Sequence, residues 1–324
     1  MSNCGNFSSV QKGSSVKSSL LLFTAGLIGN IIALAILWKH RRESKGQVSV
    51  FYILVTELVV TDLLGKCLIS PIVFVSYATN RTLTALADQN SLCLYFSVAT
   101  SFFGLASMFF LFAMALECWL SISHPFLYQK YFTKRRVVII FPAVYFCSLF
   151  ICLMPLLGLG SIKQYCPGTW CFFNMTNDNN ESLFFSVLYA TLLAILIAAV
   201  LLCNSSVAVN LTRMYRRHKE LGSSRVKPFE RHQELDNLVL LVLMNVIFLI
   251  CSLPLTIRAY IGAFAPDGKD EEDLIALKCA SVNSIVDPWV FIIFRTSVFR
   301  KLLFVCFKDS SKRMNLQSVP AVED

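Results

Sequence analysis

Apolar residues along the chain gather into seven long runs, 18–38, 48–78, 92–122, 137–158, 183–214, 235–262 and 272–294, separated by polar stretches. A helix needs roughly 20 residues to cross a hydrocarbon core of about 30 Å, and each run is long enough. Helices are the economical solution, because backbone groups in lipid must be paired within the segment. The second and third runs exceed one span and are expected to tilt or project beyond the bilayer. The pattern predicts an all-α, seven-transmembrane-helix bundle over 18–296. It follows a polar N-terminal segment, 1–17, and precedes a tail, 297–324. The first 17 residues hold no short apolar core with a cleavage site, so the first run itself is expected to direct insertion. Behind the last run, 295–308 reads as a short amphipathic helix lying along the membrane. Phe299, Leu302, Leu303 and Phe307 fall near one face, with Arg300 and Lys301 beside them. Cys306 there is a candidate for palmitoylation.

Composition agrees with a lipid solvent: 56% of the 324 residues are hydrophobic and 15% charged, against about 25% charged in soluble domains. The net charge of +9 is unevenly spread. Of the 29 Lys and Arg, 21 fall on one side of the alternating loops, in 39–45, 130–136, 213–231 and 295–313, and five on the other. The positive-inside rule then sets the N-terminus outside and the C-terminus inside. The charge is thus a topology signal, and no nucleic-acid-binding signature accompanies it. Sequons at Asn6, Asn80, Asn174 and Asn180 fall on the outer side, whereas Asn204-Ser205-Ser206 lies inside the fifth run. Cys4, Cys93, Cys166 and Cys171 also fall outside, where oxidation is available, and spacing alone leaves three pairings open.

Away from the ends of the runs, seven charged residues sit within them: Glu57, Asp62, Lys66, Glu117, Arg258, Lys278 and Asp287. Each costs roughly 2.5–3.5 kcal/mol on insertion scales and therefore needs a reason. At about 1.5 Å per residue, Lys66 stands roughly 27 Å and Lys278 roughly 25 Å above the inner face. Two cations on different helices thus reach one level in the outer third, an arrangement suited to the acidic group of a mostly apolar ligand. The alternatives are that Lys66 pairs with Asp62 four residues away and that Lys278 snorkels to the interface. Asp62 and Asp287 lie near mid-bilayer with Asn30 and Asn283, a set that suits a sodium ion, a proton or a hydrogen-bonded packing node. Arg258 is expected to reach headgroups. Glu57 has no evident role.

Several segments resemble the rhodopsin-like G-protein-coupled receptors. These are Gly29-Asn30, Thr61-Asp62-Leu63-Leu64, Pro254, and Asp287-Pro288-Trp289 in the seventh run. Gln164-Tyr165-Cys166-Pro167-Gly168-Thr169-Trp170-Cys171 resembles the second outer loop of the prostanoid receptors. Met114-Ala115-Leu116-Glu117 fits the same group. Asp62-Leu63-Leu64-Gly65-Lys66 and Glu117-Cys118-Trp119 resemble the prostaglandin D receptors, whereas Thr56-Glu57-Leu58 looks more like prostaglandin E receptors. The resemblance implies Cys93–Cys171 and Cys4–Cys166 disulfides and a capped pocket that lipid ligands enter from the membrane. It places the ligand carboxylate among Lys278, Lys66, Tyr77, Thr169, Trp170 and Ser281, and makes Asn30, Asp62, Glu117, Asp287 and Pro288 a polar core that switches. Two departures stand out. Lys278 replaces an arginine, keeping the charge but losing the planar fork. Cys118 replaces the arginine that usually closes an inactive-state lock.

The implied function is a multi-pass plasma-membrane receptor for a prostaglandin, D first, with prostaglandin E and prostacyclin as alternatives. It would signal through the stimulatory G protein to raise cyclic AMP, with the basic loop 212–233 as a contact surface that also attracts anionic lipid. No cofactor and no catalytic residue is expected. The four histidines, His40, His124, His218 and His232, lack metal-ligand spacing, which argues against a membrane enzyme. A transporter or channel would accommodate the buried charges, but no paired half-repeats are visible.

Overall fold

The seven apolar runs are seven long α-helices among the described residues of a computed structural model, which covers 8–11, 15–43, 49–131, 133–176, 180–220, 228–265 and 268–295. Within these, side chains are described except at 89, 134–135, 215, 217–220, 228–244 and 290–295. The long helices are α1 (Val16–Glu43), α2 (Val50–Thr79), α4 (Ser91–Ser123), α6 (Lys134–Leu153), α7 (Asn180–Glu220), α8 (Pro228–Phe264) and α9 (Asp270–Arg295). Two short helices, α3 (Leu83–Leu86) and α5 (Pro125–Tyr131), lie in the connections. Six of the long helices are apolar and long enough to cross a membrane; α9 opens with four acidic residues, Asp270 to Asp273, and carries Lys278 and Asp287 within it. The expected amphipathic helix at 295–308 and Cys306 lie outside the described residues.

Helix ends follow local chemistry. Asn80, in the left-handed region at φ 53°, closes α2, and its N–H turns back to the carbonyls of Ser76 and Tyr77. Pro155 converts the end of α6 into a 3₁₀ turn, Met154–Leu157, which Gly158 terminates at φ 88°. Prolines inside α2, α6, α8 and α9 (Pro71, Pro142, Pro254 and Pro288) are tolerated because neighbouring helices satisfy or shield the freed backbone groups.

Helix α4 is the axis of the bundle: Leu105, Ala106 and Phe110 are wholly buried, and it packs against α2, α6 and α7. Helices α1 and α9 approach closely at Gly29, where an added Cβ would lie 2.7 Å from Trp289 Nε1. The same indole N–H donates to the Ala25 carbonyl at 3.2 Å, so a glycine on α1 lets a large ring fill the seam.

One β element was not foreseen. Strands β1 (Ile162–Tyr165) and β2 (Trp170–Phe173) form an antiparallel hairpin, in register Ile162 with Phe173 and Tyr165 with Trp170. The Cys93–Cys171 disulfide joins β2 to the first turn of α4. Backbone hydrogen bonds sew the neighbouring chain to the hairpin turn: Gln11 N–H donates to Pro167 O, and Leu83 N–H to Gly168 O. Thr82 N–H in turn donates to Ser8 O. Gln164 Oε1 accepts from Thr84 N–H at 3.0 Å and from its hydroxyl at 2.9 Å. These contacts cover one end of the bundle, hereafter the hairpin end; the opposite end is the basic one.

Arg258 corrects an expectation. It does not reach outward: it is 8% exposed, its Nε donates to Asp273 Oδ1 at 2.6 Å and its Nη1 to Glu272 Oε2 at 2.9 Å. Lys163 on β1 pairs with Asp270 at 2.8 Å. The acidic first turn of α9 therefore fastens to both α8 and the hairpin.

Candidate functional site

Helices α1, α2, α4, α7, α8 and α9 leave a cavity beneath the hairpin, with about 1300 Å³ of non-atom space including its open mouth. Its walls are largely apolar, with Phe96, Phe103, Met108, Leu111, Phe172 and Leu255 among them. Mostly apolar lining with a few converging polar groups is the common form of a small-molecule site.

Both lysines singled out in the sequence line this cavity. Lys66 Nζ donates to the Ser281 carbonyl at 3.1 Å, and no ion pair joins it to Asp62 among the described residues. Its aliphatic stem runs past Gly26, where an added Cβ would meet Lys66 Cε at 3.3 Å. Lys278 is half-buried, and its ammonium has no hydrogen-bond or ion-pair partner among the described residues. Ser281, one turn along α9, also lines the cavity, and its hydroxyl donates to Lys278 O at 2.8 Å. Lys66 Nζ is thus held at the carbonyl of a residue three positions along α9 from Lys278.

Trp170 lines the cavity from β2 and packs edge-on against Phe96, with ring centroids 5.7 Å apart. Tyr77 and Thr169 do not line it. Tyr77 packs behind the wall on the cluster of Val73, Leu83, Cys93 and Phe96. Thr169 is buried at the hairpin turn, its hydroxyl without a partner among the described residues.

The cavity floor is polar. Ser107 donates to Asp62 Oδ1 at 2.6 Å, and Asn283 Nδ2 donates to Ser252 Oγ at 2.8 Å. Asn30 Nδ2 bridges Gly26 O and Ser284 O, at 2.8 and 3.1 Å. Beside these bonds, Asp62 Oδ2, Asp287 Oδ2 and Asn30 Oδ1 are buried without partners among the described residues. An all-oxygen set suits a hard cation or a shared proton. Pro288 follows directly as a buried residue of α9.

Glu117 lies apart, towards the basic end, buried and accepting a hydrogen bond from Tyr128 of α5 at 2.8 Å. Burial, with the Glu117 carboxylate beside it, pushes the Tyr128 hydroxyl up to about 12, so it remains a donor. Glu57 gains neighbours: the Thr61 hydroxyl donates to its backbone carbonyl at 2.7 Å and meets the Tyr145 hydroxyl of α6 at 2.8 Å. Ser107, Ser252, Tyr128 and Tyr145 carry no charge and no motif. Polarity within an apolar run could have flagged Ser107, Ser252 and Tyr145, and nothing local flags Tyr128.

Of the outer-side asparagines, Asn80 and Asn180 are exposed. Asn174 is 8% exposed, and its Oδ1 accepts from the Thr176 N–H and hydroxyl at 3.1 and 2.6 Å. Asn6 and Cys4 lie outside the described residues; Cys166 is disulfide-bonded.

Comparison with known proteins gives a consistent picture. The model of the 7 transmembrane receptor (rhodopsin family) matches residues 29–291. The chain is 47% identical to the prostaglandin D2 receptor of Bos taurus, over 92% of this chain and 90% of that one. It is 48% identical to the prostacyclin receptor of Homo sapiens, over 94% of this chain and 79% of that one. The crystal structure of squid rhodopsin shares the fold, with a TM-score of 0.73 at 14% identity, covering 100% of this chain and 91% of rhodopsin.

Proposed function

Because the chain belongs to the rhodopsin family of seven-transmembrane receptors, and within it to the prostanoid receptors, we propose that it is a receptor for a prostaglandin, with prostaglandin D first. Identity alone does not choose the ligand, since the D2 and prostacyclin relatives stand at 47% and 48%. The choice rests on one observation: two lysines from α2 and α9 enter a single apolar cavity, one of them with no protein partner among the described residues. Prostaglandin E and prostacyclin receptors usually lack a lysine where Lys66 stands.

A fatty-acid carboxylate meets Lys278 at the hairpin end of the cavity, and Lys66 donates its remaining N–H groups to the same anion or to a ring oxygen. Trp170 and Ser281 frame that end; Tyr77 and Thr169 support it from behind. The apolar chains run toward Met108, Leu111 and Leu255. A lysine makes a one-point contact where an arginine would clamp with two N–H groups, so the anchor fixes charge more than orientation.

In this reading the hairpin end faces outward and the basic end the cytoplasm, which the positive-inside rule supports. Ligand reaching Ser252, two residues before Pro254 of α8, biases a pre-existing equilibrium by binding one arrangement of α8 and α9 more tightly. The basic end then admits a G protein of the stimulatory type. At the floor, Asp62, Asp287 and Asn30 would hold a sodium ion, which would offset one of the two carboxylate charges and tie α2, α9 and α1 together.

The test is cyclic AMP in cells displaying the chain, dosed with prostaglandins D and E and prostacyclin. A rise led by prostaglandin D supports the assignment. A rise led by another of the three keeps the receptor and replaces its ligand. Silence in protein verified at the surface removes the coupling.

A further inference from the structure

The basic end carries a polar arrangement that the ligand site does not use. Position 118 is a cysteine, and among the described residues no cation pairs with Glu117, whose carboxylate is taken by Tyr128. Helix α4 is tied elsewhere. Trp119 Nε1 donates to Ser206 Oγ on α7 at 3.0 Å, and Asn210 Nδ2 of α7 donates to Ser123 Oγ at 2.6 Å.

The spacing gives these two contacts their meaning. Residues 119 and 123 are four apart on α4, and 206 and 210 are four apart on α7. Both helices run from the hairpin end to the basic end, so an advance of four residues, about 6 Å, brings the next pair into register. Two rungs of one ladder result. Asn204 completes the set: two residues from Ser206 it points to the other side of α7, at about 100° per residue, and its Nδ2 donates to Asn245 Oδ1 of α8 at 2.8 Å. That asparagine begins the intramembrane sequon Asn204-Ser205-Ser206, so both polar ends of that motif are engaged in helix contacts. Helix α7 is therefore hydrogen-bonded to α4 on one side and to α8 on the other. Such bonds inside a membrane are each modest, on the order of 1 kcal/mol, but two side by side and a third beyond them restrain relative motion of the helices.

We propose that Trp119, Ser206, Ser123 and Asn210 form a two-rung clasp between the inner ends of α4 and α7 that, through Asn204 and Asn245, holds α8 in the resting arrangement. These are positioning residues; they touch neither ligand nor G protein in the account above. The inference rests on the receptor reading for its signalling consequence, though the clasp itself is a statement about helix contacts.

Two kinds of measurement separate those parts. In cells, Trp119→Phe keeps an aromatic ring but removes the N–H, and Ser206→Ala removes the acceptor. Each is expected to raise ligand-free cyclic AMP about five-fold at matched surface level, the equivalent of one lost hydrogen bond. The double variant rises no further than either single one, and Ser206→Thr, which keeps the hydroxyl, stays at the wild-type level. Unchanged or lowered basal signal in both single variants, in cells where the wild type answers a prostaglandin, overturns the proposal. If the wild type answers none, the receptor reading has failed and the clasp is judged by thermal unfolding in detergent. Equal losses in the two single variants with no further loss in the double support it, and independent additive losses overturn it.

Discussion

Lys278 is a charge on a flexible stem, set in an apolar wall with no protein partner among the described residues. Removing it with Lys278→Ala should weaken prostaglandin binding about 10- to 100-fold, the range for a hydrogen bond to a charged group, about 1.5–3 kcal/mol. Lys278→Arg should bind within a few-fold of the wild type or better, because it restores a two-pronged contact. Lys66 already donates to the Ser281 carbonyl, so Lys66→Ala should cost less, about 5-fold, and shift the ranking of prostaglandins more than the overall affinity. Competition binding on membranes reads all three. At this scale charge was legible and geometry was not. A lysine in a 30-residue apolar helix is conspicuous, and its depth follows from counting turns. Whether Lys66 turns toward Asp62 or across to α9 depends on how α2 packs against its neighbours, and no local rule fixes that. Ser107, Tyr128 and Tyr145 were invisible for the opposite reason. Their polar atoms matter only because a partner from another helix arrives within 3 Å.

The long helices were readable from hydrophobic runs because lipid leaves the backbone no alternative. Their ends extend into polar sequence, as α7 does to Glu220, because intrahelical bonding does not stop where lipid does. The β1–β2 hairpin was missed: it lies between two apolar runs, where four-residue strands give too short a pattern, and a disulfide and the α2–α4 connection fix it. Arg258 was misjudged because sequence shows its distance from the helix end but not the acidic turn of α9 across from it. That pair carries a prediction about elements. Arg258→Leu leaves Asp273 buried without its cation and should destabilise the receptor by about 3 kcal/mol, seen as a lower unfolding midpoint in detergent. Exchanging the two charges, Arg258→Asp with Asp273→Arg, should recover part of the loss. At the seam between α1 and α9, Gly29→Val puts a branched side chain where Trp289 stands, and should lower surface expression, whereas Trp289→Phe should be tolerated better.

At the scale of the molecule, seven helices with alternating charge make a multi-pass membrane protein whose two faces have different chemistry. Charge counting predicts the direction; sequence does not separate the sequons, since Asn174 looks like its neighbours in sequence and is enclosed in the structure. Asn80→Gln and Asn180→Gln should each remove one glycosidase-sensitive mobility shift, and Asn174→Gln none. A glycan at Asn174 would mean that the chain around Thr176 opens in the membrane-embedded receptor. The oxygens of Asp62, Asp287 and Asn30 are likewise a property of three helices brought together, and replacing sodium by a bulky organic cation should lower the unfolding midpoint if they hold the ion. The central claim is that one apolar cavity binds a prostaglandin through Lys278. Saturation binding of labelled prostaglandin D to membranes bearing the chain, beside membranes bearing Lys278→Ala at equal surface density, tests it most directly. The account predicts saturable binding that the variant weakens about 10-fold or more while it still folds and reaches the surface. Equal binding by both proteins, or no saturable binding to the wild type, would contradict it.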